Sequence, residues 1–346
     1  MNYDYAAMNE ADLRQLVGGA NQLASVRRSV LEDGRGRGAR VADVNNGSGL
    51  SFTLGLDRGM DIVEASFKGL PLAFLAPGGH CHPAFYEPIG FGWLRTWSAG
   101  LVTTCGMLNV GPPDEGADIF GVGGPQGLHG RASHCPAANV AVEEAWRDGK
   151  FQLSVKGTLR EDRMFGEHLR RERSVRAELG SNHIEIRDRV HNDGFSSVPL
   201  MLLYHINLGF PLLSPVAELA AVKHEVTPRD ETAAQGLARW HLAEHPIPGV
   251  KEQCFLHSLP PGEDGMARIA LRNSAAGLSF EVGYRVAELP HLMQWKMMGQ
   301  GEYVMGLEPS NNTVSGRHGD EAKGTLRRVE PGQTVETLVT LTVREL

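Results

Sequence analysis

Cysteine is scarce in this chain. Only four occur in 346 residues, Cys81, Cys105, Cys135 and Cys254, and their spacing shows no pairs. That pattern argues against a disulfide framework and fits free thiols in a reducing compartment. Long apolar runs are missing too. No stretch reaches the ~18 apolar residues a membrane-spanning helix needs, so no membrane partner is expected. Positive charge is in deficit, with 34 Lys and Arg against 41 Asp and Glu and a formal net charge of -7. That balance argues against a nucleic-acid or anionic-membrane surface. The N-terminal stretch MNYDYAAMNEADLRQLVGG has no basic start followed by an apolar block. No secretory signal is therefore expected, and the cytoplasm is the expected location. Internal repeats, low-complexity runs and clear linkers are absent as well. The expectation is one domain over residues 1–346, with residues 1–21 as an N-terminal helical extension.

What the chain has in quantity is punctuation: 42 glycines and 19 prolines supply turns at short intervals. Between them lie alternating apolar and polar segments, such as LSFTLGL, MDIVEASF, FQLSVKGTLRE, HIEIRDRV, LSFEVGYRV and ETLVTLTVREL. This period of two reads as strands, and the whole as an all-β chain of large antiparallel sheets with a few short helices. One helix starts near Asn9, an N-cap with Asp12 three residues later. A second helical interlude is expected within Val222–Ala243. Segments 112–136 and 245–253 read as loops.

One strand raises a question. MLLYHINLGFPLL starts at Met201 and should be apolar on both faces if it is buried. Yet His205 and Asn207 project together from one face. GEYVMGLEPSNN offers a related feature: Val304, Gly306 and Glu308 share a face, with the glycine clearing space beside the carboxylate and Pro309 stopping the ladder. Glu308 reads either as a general base or as a surface glutamate entering a turn. His129 lies among glycines in GGPQGLHGRASHCP, which suits close approach of a ligand and equally suits an ordinary loop. WLRTWSAG puts Arg95 between Trp93 and Trp97 on one face at strand spacing, an arrangement that suits a sugar or a stacked surface arginine. HCHPAFYE presents His80 and His82 on one strand face, with Glu87 shortly after. That spacing resembles the first metal-binding motif of cupins, although no second motif follows. GRGRGAR and GVGGPQG lack the GK[ST] of a phosphate cradle, and no G-x-S-x-G elbow is present.

Taken together and in order, DRGMDI, GFGWLRTWSAGLVTTCG, GLHGR, LLYHINLGFPLL and LPHLMQWKMMGQGEYVMGLEPSN resemble the aldose 1-epimerase (galactose mutarotase-like) superfamily. More narrowly, they are similar to a less-characterised bacterial branch of it. The resemblance runs from about Gln22 to the C-terminus. It implies a large β-sandwich with a site in an open cleft on a concave sheet. It implies His205 as general acid on the ring oxygen and Glu308 as general base on the anomeric hydroxyl. His129 matches the second histidine near the ring oxygen, and Arg95 a substrate-binding arginine. The family's D-H motif, whose aspartate grips sugar hydroxyls, is replaced by QCFLHSLPP, with His257 and no acid.

The expected function is thus anomer exchange of a small sugar, with no metal or other cofactor. His205 and Glu308 are the expected catalytic pair, with an imidazole pKa near 7 suited to proton transfer. His129, Arg95, Asn207, Trp93, Trp97 and His257 are the expected substrate contacts. Two alternatives stand beside this: a sugar-binding protein without turnover, and a metal-dependent cupin-like enzyme built on His80, His82 and Glu87. The sequence leaves the oligomeric state open, a homodimer being one option.

Overall fold

The computed structural model describes residues 5–115 and 124–346. Residues 116–123, within the expected loop at 112–136, and the first four residues of the expected N-terminal extension lie outside that set. As expected, strands dominate, and among the described residues every strand-to-strand ladder is antiparallel, isolated bridges such as Gly106↔Gly130 aside. Among the described residues the α-helices are three short ones: Glu10–Leu16, Glu231–Gly236 and Gly316–Ala322. The first starts where Asn9 marks it, its side chain accepting from Asp12 N at 3.0 Å.

Three large sheets build the molecule. A five-stranded sheet runs in chain order from Ser25–Val30 to Leu70–Pro71. An eight-stranded sheet includes Ala138–Arg147, Lys150–Asp162, His168–Glu178, His183–Asn192 and Thr334–Glu345. The third sheet has six strands: β1 (Val102–Met107), β2 (Met201–Gly209), β3 (Glu225–Pro228), β4 (Gln253–Ser258), β5 (His291–Met298) and β6 (Tyr303–Ser310). Their order across the sheet is β3-β4-β5-β6-β2-β1.

Alternation along these strands decides what each face does. Tyr204, Ile206 and Leu208 of β2, Leu292 of β5 and Met305 and Leu307 of β6 point inward. They join the main core with Ile186, Val339 and Leu341 of the eight-stranded sheet and Phe52, Leu54 and Ile62 of the five-stranded one. Met201 and Leu203 point the other way, into a smaller cluster with Trp93, Cys105 and Val110. All nine residues of β2 are buried, so this sheet has no solvated face there.

A buried charge network ties the three sheets. The Arg173 guanidinium donates to Asp188 Oδ2 (2.6 Å) in its own sheet, to Asp61 Oδ1 (2.7 Å) in the five-stranded sheet and to Thr104 Oγ1 (2.8 Å) in β1. Burial alone would raise the Asp188 pKa, and the neighbouring guanidinium more than reverses it.

Three local expectations change. The Trp93–Trp97 segment is no strand: Gly92–Arg95 forms a 3₁₀ turn after Gly90, whose φ of +55° breaks the extended chain. His80 and His82 share no strand either, because Pro83 opens a 3₁₀ turn that the His82 ring caps, Nδ1 accepting from Ala84 N at 3.0 Å. The Val222–Ala243 interlude is helical only from Glu231, since Glu225–Pro228 is taken up by pairing with β4.

Candidate active site

Strand register assembles the centre of the molecule's aromatic cleft. Pairings Ile206↔Leu307 and Asn207↔Gly306 between β2 and β6 set His205 opposite Glu308. Thr103 of β1 pairs with His205, and Met293 of β5 pairs with Glu308. The neighbouring row continues through Gly306, Trp295 and Cys254. A cleft of about 340 Å³ opens over these two rows, walled by Trp93, Trp97, Leu128, His129, Arg229 and Glu252.

Within it, His205 Nε2 lies 3.1 Å from Glu308 Oε1, without the alignment of a hydrogen bond. Gly306 makes room for that approach. A Cβ there would lie 2.6 Å from Glu308 Oε1, 3.0 Å from Trp295 Cβ and 3.3 Å from His205 Cε1. Rings enclose the imidazole: Trp295 at 5.4 Å, Trp97 at 5.5 Å and His129 at 6.1 Å between centroids. His129 adopts a left-handed backbone (φ +56°) beside Gly130. Its ring leans on Trp93 at 5.0 Å, and its Nδ1 accepts from Gly111 N at 3.4 Å.

Burial sets the charge state of the pair. It pulls His205 down to about 3, and the neighbouring His129 adds to the fall. His129 itself drops to about 4 through burial, opposed by Glu252. Burial pushes Glu308 well above the usual carboxylate range; Glu252 adds to the rise and Arg229 opposes it. Burial therefore favours the neutral form of both members of the pair, and the imidazole is not poised near 7, because the dry cleft penalises either charge.

The other expected contacts fall into two groups. Trp93, Trp97 and His129 line the cleft; Arg95, Asn207 and His257 do not. Arg95 is exposed beside Glu87 (3.4 Å), turned outward by the 3₁₀ turn that replaces the expected strand. Asn207 shares the face of His205 but turns back on the sheet, donating to Gly100 O (3.0 Å) and His205 O (2.9 Å). It offsets part of the fall in the His205 pKa, although no aligned bond joins its Oδ1 to His205 Nδ1. His257 occupies the opposite face of β4 from Cys254. There it is buried against Gln294 (3.0 Å) and His224 (2.8 Å) on the core side. His80, His82 and Glu87 form no cluster: among the described residues, no group of three His, Cys, Asp or Glu side chains is placed to hold a metal.

Trp295, Arg229 and Glu252 line the cleft outside the expected set. Trp295 was legible, because it alternates with Met293 and sits next to Gly306 by register. Arg229 and Glu252 were not. They flank β3 and β4 outside any alternating pattern, and only the pairing of those strands brings them together, Arg229 N donating to Cys254 O at 2.9 Å.

The same fold occurs in solved structures. One is a candidate aldose 1-epimerase from Klebsiella pneumoniae, 24% identical, with a TM-score of 0.86 over 94% of this chain and 86% of that one. A galactose mutarotase-like protein from Clostridium acetobutylicum is 11% identical, with a TM-score of 0.66 over 94% of this chain and all of that one. Galactose 1-epimerase from Lactobacillus acidophilus is 12% identical, with a TM-score of 0.58 over 93% of this chain and 99% of that one. At these identities the likeness is one of fold: the large β-sandwich of galactose mutarotase-like proteins. No curated protein matches the chain. The family model described as a domain of unknown function, DUF4432, matches residues 36–343. With so much of its length matched, the chain belongs to the DUF4432 family, built on a galactose mutarotase-like fold.

Proposed function

We propose that the protein interconverts the α and β anomers of an aldose by acid/base ring opening, with His205 and Glu308 moving the protons. One observation carries the reading: an imidazole and a carboxyl 3.1 Å apart at the floor of an aromatic cleft. Ring opening removes a proton from the anomeric hydroxyl O1 and delivers one to the ring oxygen O5. Both oxygens are bonded to the same carbon, so two side chains in contact with each other can reach both.

The pair holds one transferable proton and one free base. In the neutral resting form, Glu308 carries the proton and His205 Nε2 the lone pair. Transfer across the 3.1 Å contact gives the imidazolium–carboxylate form, in which His205 is the acid and Glu308 the base. The family roles belong to that second form. Each group of this kind contributes ~10²–10⁴-fold. In this reading Trp93, Trp97 and Trp295 supply ring faces for the C–H face of a sugar, and His129 is the donor near the ring oxygen.

Anomer-exchange NMR tests the proposal on a panel of aldoses. The wild-type protein should speed exchange of at least one. Glu308→Gln should slow that exchange ~10²-fold or more while saturation-transfer NMR still detects the bound sugar. Normal exchange by Glu308→Gln would overturn the mechanism. Binding without exchange by the wild type would leave a sugar-binding protein.

A further inference from the structure

Arg229 carries the only fixed positive charge among the described residues lining the cleft, and it is already engaged. Its Nη2 donates to Glu252 Oε1 at 2.8 Å and its Nε to Asp230 Oδ2 at 3.0 Å. The Trp295 Nε1 donates to the other Glu252 oxygen at 2.7 Å. Trp295 in turn packs 5.4 Å from the His205 ring, so this array is anchored to the proposed proton-transfer pair.

We infer that the substrate is an uncharged aldose and that Glu252, held by Arg229 and Trp295, is the carboxylate that grips its hydroxyls. The inference rests on the anomer-exchange reading above. Its first argument is charge. Glu252 in the cleft and Asp230 outside its lining both pair with Arg229, so the carboxylate or phosphate of an acidic sugar would meet an acidic side chain and a guanidinium already paired. Burial lowers the His205 and His129 imidazoles to about 3 and about 4, so neither supplies the missing positive charge. The second argument is hydrogen-bonding capacity. An ionised carboxylate has about four acceptor positions, and the two bonds from Arg229 and Trp295 leave others for sugar O–H donors. Arg229 likewise keeps N–H groups that can donate to a neighbouring hydroxyl oxygen. The third is location. Glu252 stands one residue before QCFLHSLPP, the segment that lacks the family's hydroxyl-gripping aspartate, and it reaches the cleft that His257 does not.

The test compares anomer exchange of D-glucose and D-galactose with that of D-glucuronate and D-galacturonate. The wild-type protein should favour the neutral sugar of a pair by about tenfold or more in kcat/KM, the scale of a partly screened like-charge contact. Glu252→Gln removes a hydroxyl acceptor and frees Arg229. It should raise KM for the neutral sugar about tenfold while kcat changes little, and it should narrow or invert the preference over the uronate. Arg229→Gln removes the cation beside Glu252, which keeps its bond from Trp295, and should widen that preference, which separates charge from general damage to the cleft. Thermal melts report whether each variant is folded. Wild-type preference for the uronates, or an unchanged preference in both variants, would overturn this inference and leave anomer exchange standing. Exchange and binding of none of the four sugars would overturn both.

Discussion

Two buried carboxyls behave differently because their neighbours differ. Glu308 faces a cleft and a histidine, and its chemistry should show in a pH profile. With His205 lowered to about 3 and Glu308 raised, the singly protonated pair persists across a wide range. We predict that kcat/KM shows no inflection near pH 6.5, the ordinary histidine value, and falls only below about pH 4, where His129 and then His205 gain protons. A clear step near 6.5 would place an ordinary, solvated imidazole at the centre of the reaction. His205→Asn and Glu308→Gln should each cost ~10²-fold or more, and the double variant far less than the product, because the two groups act as one relay. Glu161 has no such role. It is buried outside the cleft, and both its oxygens lack hydrogen-bond partners among the described residues. Burial raises it to about 8; Arg131 opposes the rise and Glu167 adds to it. The folded chain therefore keeps this proton up to about pH 8, whereas the unfolded chain releases it near 4.5. Stability should fall as pH rises between those values, by at most about 3–5 kcal/mol from this group. Urea midpoints at pH 5 and pH 8 should differ less for Glu161→Gln than for wild type; equal differences would assign the pH dependence elsewhere.

At the scale of the element, the decisive object is β6 against β2 and β5. Register alone sets His205, Glu308 and Met293 in a row, with Gly306 and Trp295 in the next. Gly306 is in no left-handed conformation, so alanine is tolerated by the backbone, but its methyl would crowd Glu308 and Trp295. We predict that Gly306→Ala keeps the fold and slows exchange ~10–10²-fold by displacing the carboxyl. A variant that melts like wild type yet exchanges normally would show that the carboxyl position is not critical.

At the scale of the molecule, Arg173 joins the three sheets through Asp188, Asp61 and Thr104. Tyr204 of β2 also donates to Asp188 Oδ2 at 2.7 Å, so the inward face of the cleft sheet rests on the same network. Arg173→Met removes the cation and leaves two buried carboxylates that keep hydrogen bonds from Tyr204 and Thr104 but lose the guanidinium they share. The expected loss is about 3–5 kcal/mol, read by chemical denaturation. Asp188→Asn in the Arg173→Met background should recover part of it. A loss below about 1 kcal/mol for Arg173→Met alone would mean that the carboxylates are neutralised by other means. No helix among the described residues is long and apolar enough to cross a bilayer.

The sequence by itself determined most of the strands and the alternation within each, so His205 shares a face with Asn207 in one strand and Glu308 with Gly306 in another. Alternation is a local property of an extended chain, so it survives reading in one dimension. The likeness of the ordered motifs carried the fold further than composition could. Tertiary structure decided which of the outward groups meet. Arg95 was lost to a 3₁₀ turn and His257 to the opposite parity of its strand, while Asn207 turned back on its own backbone. Arg229 and Glu252 were gained, two residues in unpatterned segments 23 positions apart that only the pairing of β3 with β4 makes neighbours. The pKa shifts were decided at the same level, because the desolvation that lowers His205 and raises Glu308 comes from tryptophans and strands distant in the chain, and no stretch around either residue encodes it.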